Sequence, residues 1–308
     1  MIDPMTAFSL RKSINARIRS EAKRRGALPN EIRKQYVFSL FFKRLFARDF
    51  GHWMLLGGNA LLIRTGGGRF TQDIDLARGD DWDDVEELRD EFQELLRSDD
   101  ANDPFYFDIL RIEPRNDLDI FGYGAHTAKV HIRIMLGAKE FDTFTVDITT
   151  RRHVDDPVDR IPLKPIIDHQ TLNDMPYIPT VPVENHLADK ICALYERHGA
   201  TGSSASTRYR DLADIVRIVK TLSFCAERLS KLIDHETMRR QIARPSAMIS
   251  PDPGWEHKYP DAARYFAEFP SELRSLSSSL TVAASCLNDV LDGTRTTGVW
   301  DPLSQAWN

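Results

Sequence analysis

Residues 52–75 read HWMLLGGNALLIRTGGGRFTQDID. Trp53, Met54, Leu55 and Leu56 form a short apolar run, the pattern of a buried strand. Gly57, Gly58 and Asn59 follow, then the apolar, helix-forming run Ala60, Leu61, Leu62, Ile63 and Arg64. A turn at Gly66, Gly67 and Gly68 leads to Arg69, and the stretch closes on Asp73, Ile74 and Asp75. A glycine pair between a strand and a helix lets backbone approach a bulky ligand. The helix start beyond it offers free N–H groups and a positive dipole end, which suits phosphate. Alternate side chains of a strand share a face, so Asp73 and Asp75 point one way while Ile74 and Leu76 enter the core. Two carboxylates so placed can hold hard cations such as Mg²⁺. Such ions can bridge phosphate oxygens during an in-line displacement.

This order of glycine pair, helix, basic residue and Asp-x-Asp resembles the nucleotidyltransferase signature of the polymerase-beta superfamily. Within that superfamily the stretch is similar to the AbiEii toxin family, which includes the MenT toxins. Its members read Gly-Gly-x-Ala-Leu, then Arg, then Arg-x-Thr-x-Asp-Ile-Asp. Gly57, Gly58, Ala60, Leu61, Arg64, Arg69, Thr71, Asp73, Ile74 and Asp75 fall in those places. Asn59 stands where many nucleotidyltransferases carry Ser, and its amide still offers a donor to a phosphate oxygen. The resemblance implies a nucleoside triphosphate substrate used with Mg²⁺. It implies phosphate cradled by Gly57, Gly58 and Asn59, metal held by Asp73 and Asp75, and Arg69 neutralising the triphosphate.

A third carboxylate from a neighbouring strand completes the metal cage in such sites, in a Val-Asp-Ile or Leu-Asp-Val context. Val146, Asp147 and Ile148 match it, within a strand over residues 144–148 that alternates Phe144, Val146 and Ile148 against Thr145, Asp147 and Thr149. An Asp between two β-branched residues is unfavourable in a plain strand, and a bound cation would account for it. A second family signature, Glu, Lys, then Arg-x-x-Asp-Leu-x-Asp on helices, is similar to Glu184, Lys190, Arg208, Asp211, Leu212 and Asp214. The resemblance assigns Lys190 to the nucleotide phosphates and Asp211 to catalysis. The bland alternatives are a solvated helix lysine and a first-turn acid that merely favours the helix dipole.

Other stretches fill in the layout. Helices are expected over residues 8–25, capped by Ser9, and 31–46, with breaks at Gly26 and Pro29. An acidic amphipathic helix is expected over 82–97, and strands over 105–112 and 129–136. Residues 151–182, rich in proline, read as a connector, and helices follow. The expected fold is α+β. A polymerase-beta-like nucleotidyltransferase domain, a mixed sheet with flanking helices, covers 1–180, and an α-helical domain covers 181–308.

The 308 residues, 42% hydrophobic and 28% charged, suit an ordinary globular chain with material for two domains. No run approaches a membrane span, and no secretion signal is visible. Cys192, Cys225 and Cys286 are scattered, without a Cys-x-x-Cys pair, which argues against zinc and a disulfide framework and for a reducing cytoplasm. Net charge is −5, yet residues 11–48 are strongly basic and 80–103 strongly acidic. Such a split is compatible with gripping RNA on one face, or with two opposite helix faces packing together. The expected activity is that of a cytoplasmic nucleotidyltransferase toxin acting on an acceptor hydroxyl. The resemblance implies the 3′ end of tRNA as acceptor and a cognate antitoxin as partner. A small molecule or a protein side chain as acceptor, or a non-catalytic binding module that keeps the fold, are the alternatives.

Overall fold

The computed structural model describes residues 4–48, 51–68, 70–98, 100, 102–115, 127–150, 158–199, 204–264, 266 and 269–308. The chain divides into two compact units, Met1–Val181 and Pro182–Asn308.

The first unit opens with helices α1, Pro4–Arg25, and α2, Pro29–Arg48. Proline suits a first helical position, where its missing N–H has no partner to lose. Pro29 therefore starts a helix instead of merely breaking one, and Ser9 lies inside α1, not at its cap. Around α2, Phe38, Phe41, Phe42 and Phe46 are all buried, too broad an apolar face for a surface helix. Buried Arg44 on the same helix donates to Asp103 Oδ2 at 2.8 Å and to the carbonyls of Leu96 and Phe105 at 2.5 and 2.7 Å. Part of the basic N-terminal charge is thus internal bracing.

Strand β1, Trp53–Leu55, leads into α3, Gly57–Thr65, and β2, Asp73–Arg78. The acidic helix α4, Val85–Leu95, starts later than its periodicity predicts because Asp84 accepts from the N–H groups of Glu86 and Glu87 as its N-cap. Then come β3, Phe105–Arg115, β4, Thr127–Leu136, and β5, Lys139–Thr149. The proline-rich segment read as a connector holds two more strands, β6, Asp159–Pro162, and β7, Tyr177–Thr180. Among the described residues these seven strands form one mixed sheet, in the order β3-β4-β5-β2-β1-β7-β6. Its core face carries Ile74, Leu76, Val130, Ile132, Val146 and Ile148, joined in one cluster with residues of α1, α2 and α4.

The second unit is mainly helical. Helices α5, Val183–Tyr195, and α6, Tyr209–Thr221, are followed by α7, Ala226–Arg240, α8, Trp255–Ala263, and α9, Leu276–Leu291. A short antiparallel pairing of residues 197–198 with 204–205 ends α5 earlier than expected. At the C-terminus Trp300 donates to the Val219 carbonyl and Trp307 to that of Cys286, at 2.7 and 2.9 Å, which docks the tail. No described helix is long and apolar enough to cross a membrane. The α+β class expected from the sequence is the observed one.

Candidate active site

Alternation along β2 buries Ile74 and Leu76 completely and leaves Asp73 and Asp75 on the opposite face, half-buried. Parallel pairing with β5 sets Asp75 beside Asp147 and Asp73 beside Thr145. Antiparallel pairing with β4 then sets Asp147 beside Lys129 and Thr145 beside His131. Residues directly opposite in a sheet share a face. Asp75, Asp147 and Lys129 therefore stand in one row across three strands, on the face opposite the one that packs against α1, α2 and α4.

The glycine pair lies inside helix α3, not ahead of it, with Leu56 at the N-cap position. Gly57 has a φ of 62°, a left-handed conformation that side chains rarely adopt. A Cβ added there would collide with the Asp75 carboxylate, its Cγ lying 2.8 Å away. Only glycine lets the start of α3 lie against Asp75. Leu56 N–H also donates to the Asp75 carbonyl, at 2.9 Å, and locks the strand beside the helix start. The first N–H groups of a helix have no intrahelical partner.

Asn59 is buried and donates through Nδ2 to the Asp73 carbonyl at 2.7 Å. Its amide braces the acidic strand, where the sequence reading expected a phosphate donor. Arg64 holds Asp159 and the Val181 carbonyl, at 2.7 and 2.8 Å, and so ties α3 to the far edge of the sheet. Arg69 lies outside the described residues. Among the described residues the Thr71 hydroxyl is buried with no hydrogen-bond partner, an unusual state for a motif side chain two residues before Asp73.

Asp147 is not bare. Lys129 Nζ lies 2.8 Å from its Oδ2, with 18% of the lysine side chain exposed. The cation invoked for an Asp between β-branched neighbours is thus supplied by the chain itself. Among the described residues no group of three or more His, Cys, Asp or Glu side chains is gathered so as to hold a metal ion. Lys129 is the residue that sequence reasoning missed. Its alternation with His131 and Arg133 on the polar face of β4 was visible, but its partner was not.

In the second unit Lys190 and both aspartates of its signature meet. Lys190 Nζ donates to Asp211 Oδ1 at 2.9 Å and to Asp214 Oδ2 at 2.7 Å. All three side chains are less than a tenth exposed, so Lys190 is no solvated helix lysine and Asp211 no free first-turn acid. Arg208 Nε adds a contact to Asp211 Oδ2 at 3.3 Å. Glu184, the signature's first residue, accepts from the Cys225 N–H at 2.7 Å, just ahead of α7.

A family model described as "Nucleotidyl transferase AbiEii toxin, Type IV TA system" matches residues 40–279. No curated protein matches the chain. Among solved structures it is similar to JHP933 from Helicobacter pylori, at 15% identity and a TM-score of 0.46, over 86% of this chain and 94% of that one. It is also similar to MenT4, a nucleotidyltransferase toxin from Mycobacterium tuberculosis H37Rv, at 16% identity and a TM-score of 0.49, over 91% and 87% of the two chains.

Proposed function

The chain belongs to the AbiEii nucleotidyltransferase toxin family, and from that premise we propose that it transfers a nucleotidyl group from a nucleoside triphosphate to the hydroxyl at the 3′ end of a tRNA, with Mg²⁺. The observation that carries this reading is the contact of Gly57 with Asp75. A helix start without a side chain leaves its N–H groups open to phosphate, and the carboxylate beside it stands where a cation on that phosphate could be held. The residues fit a divalent ion: Asp73 and Asp75 share a face, and the orphaned Thr71 hydroxyl lies buried close by in sequence. Asp73 and Asp75 would hold the ion, with Asp147 beside them in register. When bound, the ion would supply Lewis-acid polarisation of phosphate oxygens.

The chain's own groups do the positioning. The N–H groups of Gly57, Gly58 and Asn59 orient phosphate at the start of α3. Asn59 keeps Asp73 in place through its backbone. Arg69 neutralises the triphosphate. In the helical unit, Lys190 serves the nucleotide phosphates and Asp211 orients or deprotonates the acceptor, as a carboxylate base can. The pairing of Lys190 with both aspartates favours a second duty, holding α5 to α6. The toxin family implies a cognate antitoxin as partner, and the chain acts in the cytoplasm.

Incubation with each labelled nucleoside triphosphate, Mg²⁺ and total RNA tests the proposal. A labelled band of tRNA size, lost in the Asp75→Ala variant, is expected. Label on protein or on a small molecule with none on RNA would replace the acceptor. Label nowhere, under any nucleotide, would overturn the reading.

A further inference from the structure

Lys129 has two acids in register beside it, Glu113 on β3 and Asp147 on β5. Glu113 is engaged by Arg111, whose NH2 lies 2.9 Å from its Oε1. The Lys129 ammonium goes to Asp147 instead, at 2.8 Å. Asp147 in turn is the direct neighbour of Asp75. A fixed positive charge therefore sits on the acid that would otherwise complete a three-carboxylate cage.

We infer that Lys129 takes the place of one metal ion: the site holds a single divalent cation at Asp73 and Asp75, and the Lys129 ammonium occupies Asp147. This rests on the reading of Asp73 and Asp75 as metal-holding. A second ion at Asp147 would have to approach the ammonium at close range, in a partly buried setting where screening is weak. It would also have to displace a hydrogen bond already formed to Oδ2. Lys129 is a positioning residue in this scheme, acting through Asp147.

The test counts ions rather than turnover. Mn²⁺ is dialysed to equilibrium against the full-length protein, with a non-hydrolysable nucleoside triphosphate at equal concentration on both sides. One bound Mn²⁺ per chain is expected for the parent, two for Lys129→Met, and one again for Lys129→Met combined with Asp147→Asn. Two ions in the parent, or one in a folded Lys129→Met protein, would overturn the inference. If Lys129→Met fails to fold in a thermal melt, Asp147→Asn alone decides. Its count stays at one if Asp147 holds no ion, and a count that falls overturns the inference. No bound ion in the parent or any variant overturns the metal reading of Asp73 and Asp75 itself, and this inference with it.

Discussion

Gly57 and Asp75 make one contact that neither residue could make alone. In Gly57→Ala a methyl group would enter the space of the Asp75 carboxylate at a left-handed φ of 62°. Strain at such a φ costs about 1 kcal/mol or more, and the displaced carboxylate adds a loss of transfer. A melting shift together with near-background labelling is expected; full activity would show that Asp75 is not used where it stands. Asp75→Ala removes the charge while Ile74 and Leu76 keep the core face of β2, so transfer should vanish while the melt holds, and parent-rate labelling would refute its role. Lys190→Ala is a different case, because it leaves Asp211 and Asp214 facing each other without their shared cation. Breaking a buried pair from one side costs about 3–5 kcal/mol. Denaturant titration should show that loss, and nucleotide titration of the folded fraction should show weaker binding. Unchanged stability would mean that the buried cluster does not hold α5 to α6.

Helix α1 ends in Lys23, Arg24 and Arg25, and the last two bind Glu21 of the same helix, at 2.6 and 2.5 Å. Hydrogen bonding from Arg24, with Arg25 adding to it against the effect of burial, holds the Glu21 carboxyl down at about 2. A depressed folded-state value means stability present above the unfolded range near ~4.3 and lost as pH falls toward about 2. Glu21→Gln should remove that part of the acid dependence, readable by circular dichroism over the same window; an identical acid profile would refute the pairing. Arg24 is 67% exposed whereas Arg25 and Glu21 are only 20% and 15% exposed, and an exposed partner contributes about 0–1 kcal/mol, so Arg24→Glu alone should barely move the melt. It should weaken RNA binding and flatten its salt dependence if this cation meets phosphates. A lower melt with unchanged RNA affinity would assign it to structure alone. The strands show how far local pattern reaches. Alternation in β2, β4 and β5 was enough to place Asp73, Asp75, Lys129 and Asp147 on polar faces. It could not pair them. Counting back from the hairpin pair Leu136 and Lys139 puts Ala128 opposite Asp147, and a bulge beside Met135 moves Lys129 there. Strands β6 and β7 escaped notice because prolines at 162 and 179 mask short edge pairings. The duty of Asn59 was hidden for a similar reason, since its partner is a backbone carbonyl 14 positions away.

Over the whole molecule, the family match from residue 40 to 279 runs through both compact units. The first unit supplies a mixed sheet with helices on its apolar face and the acidic row on the other. The second supplies a buried lysine shared by two aspartates. A net charge of −5 makes indiscriminate binding to nucleic acid unfavourable, so RNA recognition has to rest on local charge such as that of α1. The claim on which everything else depends is that a nucleotidyl group, not a terminal phosphoryl group, leaves the triphosphate. It is tested by giving the protein Mg²⁺, total RNA and the preferred nucleoside triphosphate labelled at either the α- or the γ-phosphorus. The account predicts labelled tRNA from the α-label, none from the γ-label, and none from either with Asp75→Ala. RNA labelled from the γ-phosphorus, or α-label transfer that survives Asp75→Ala, would contradict it.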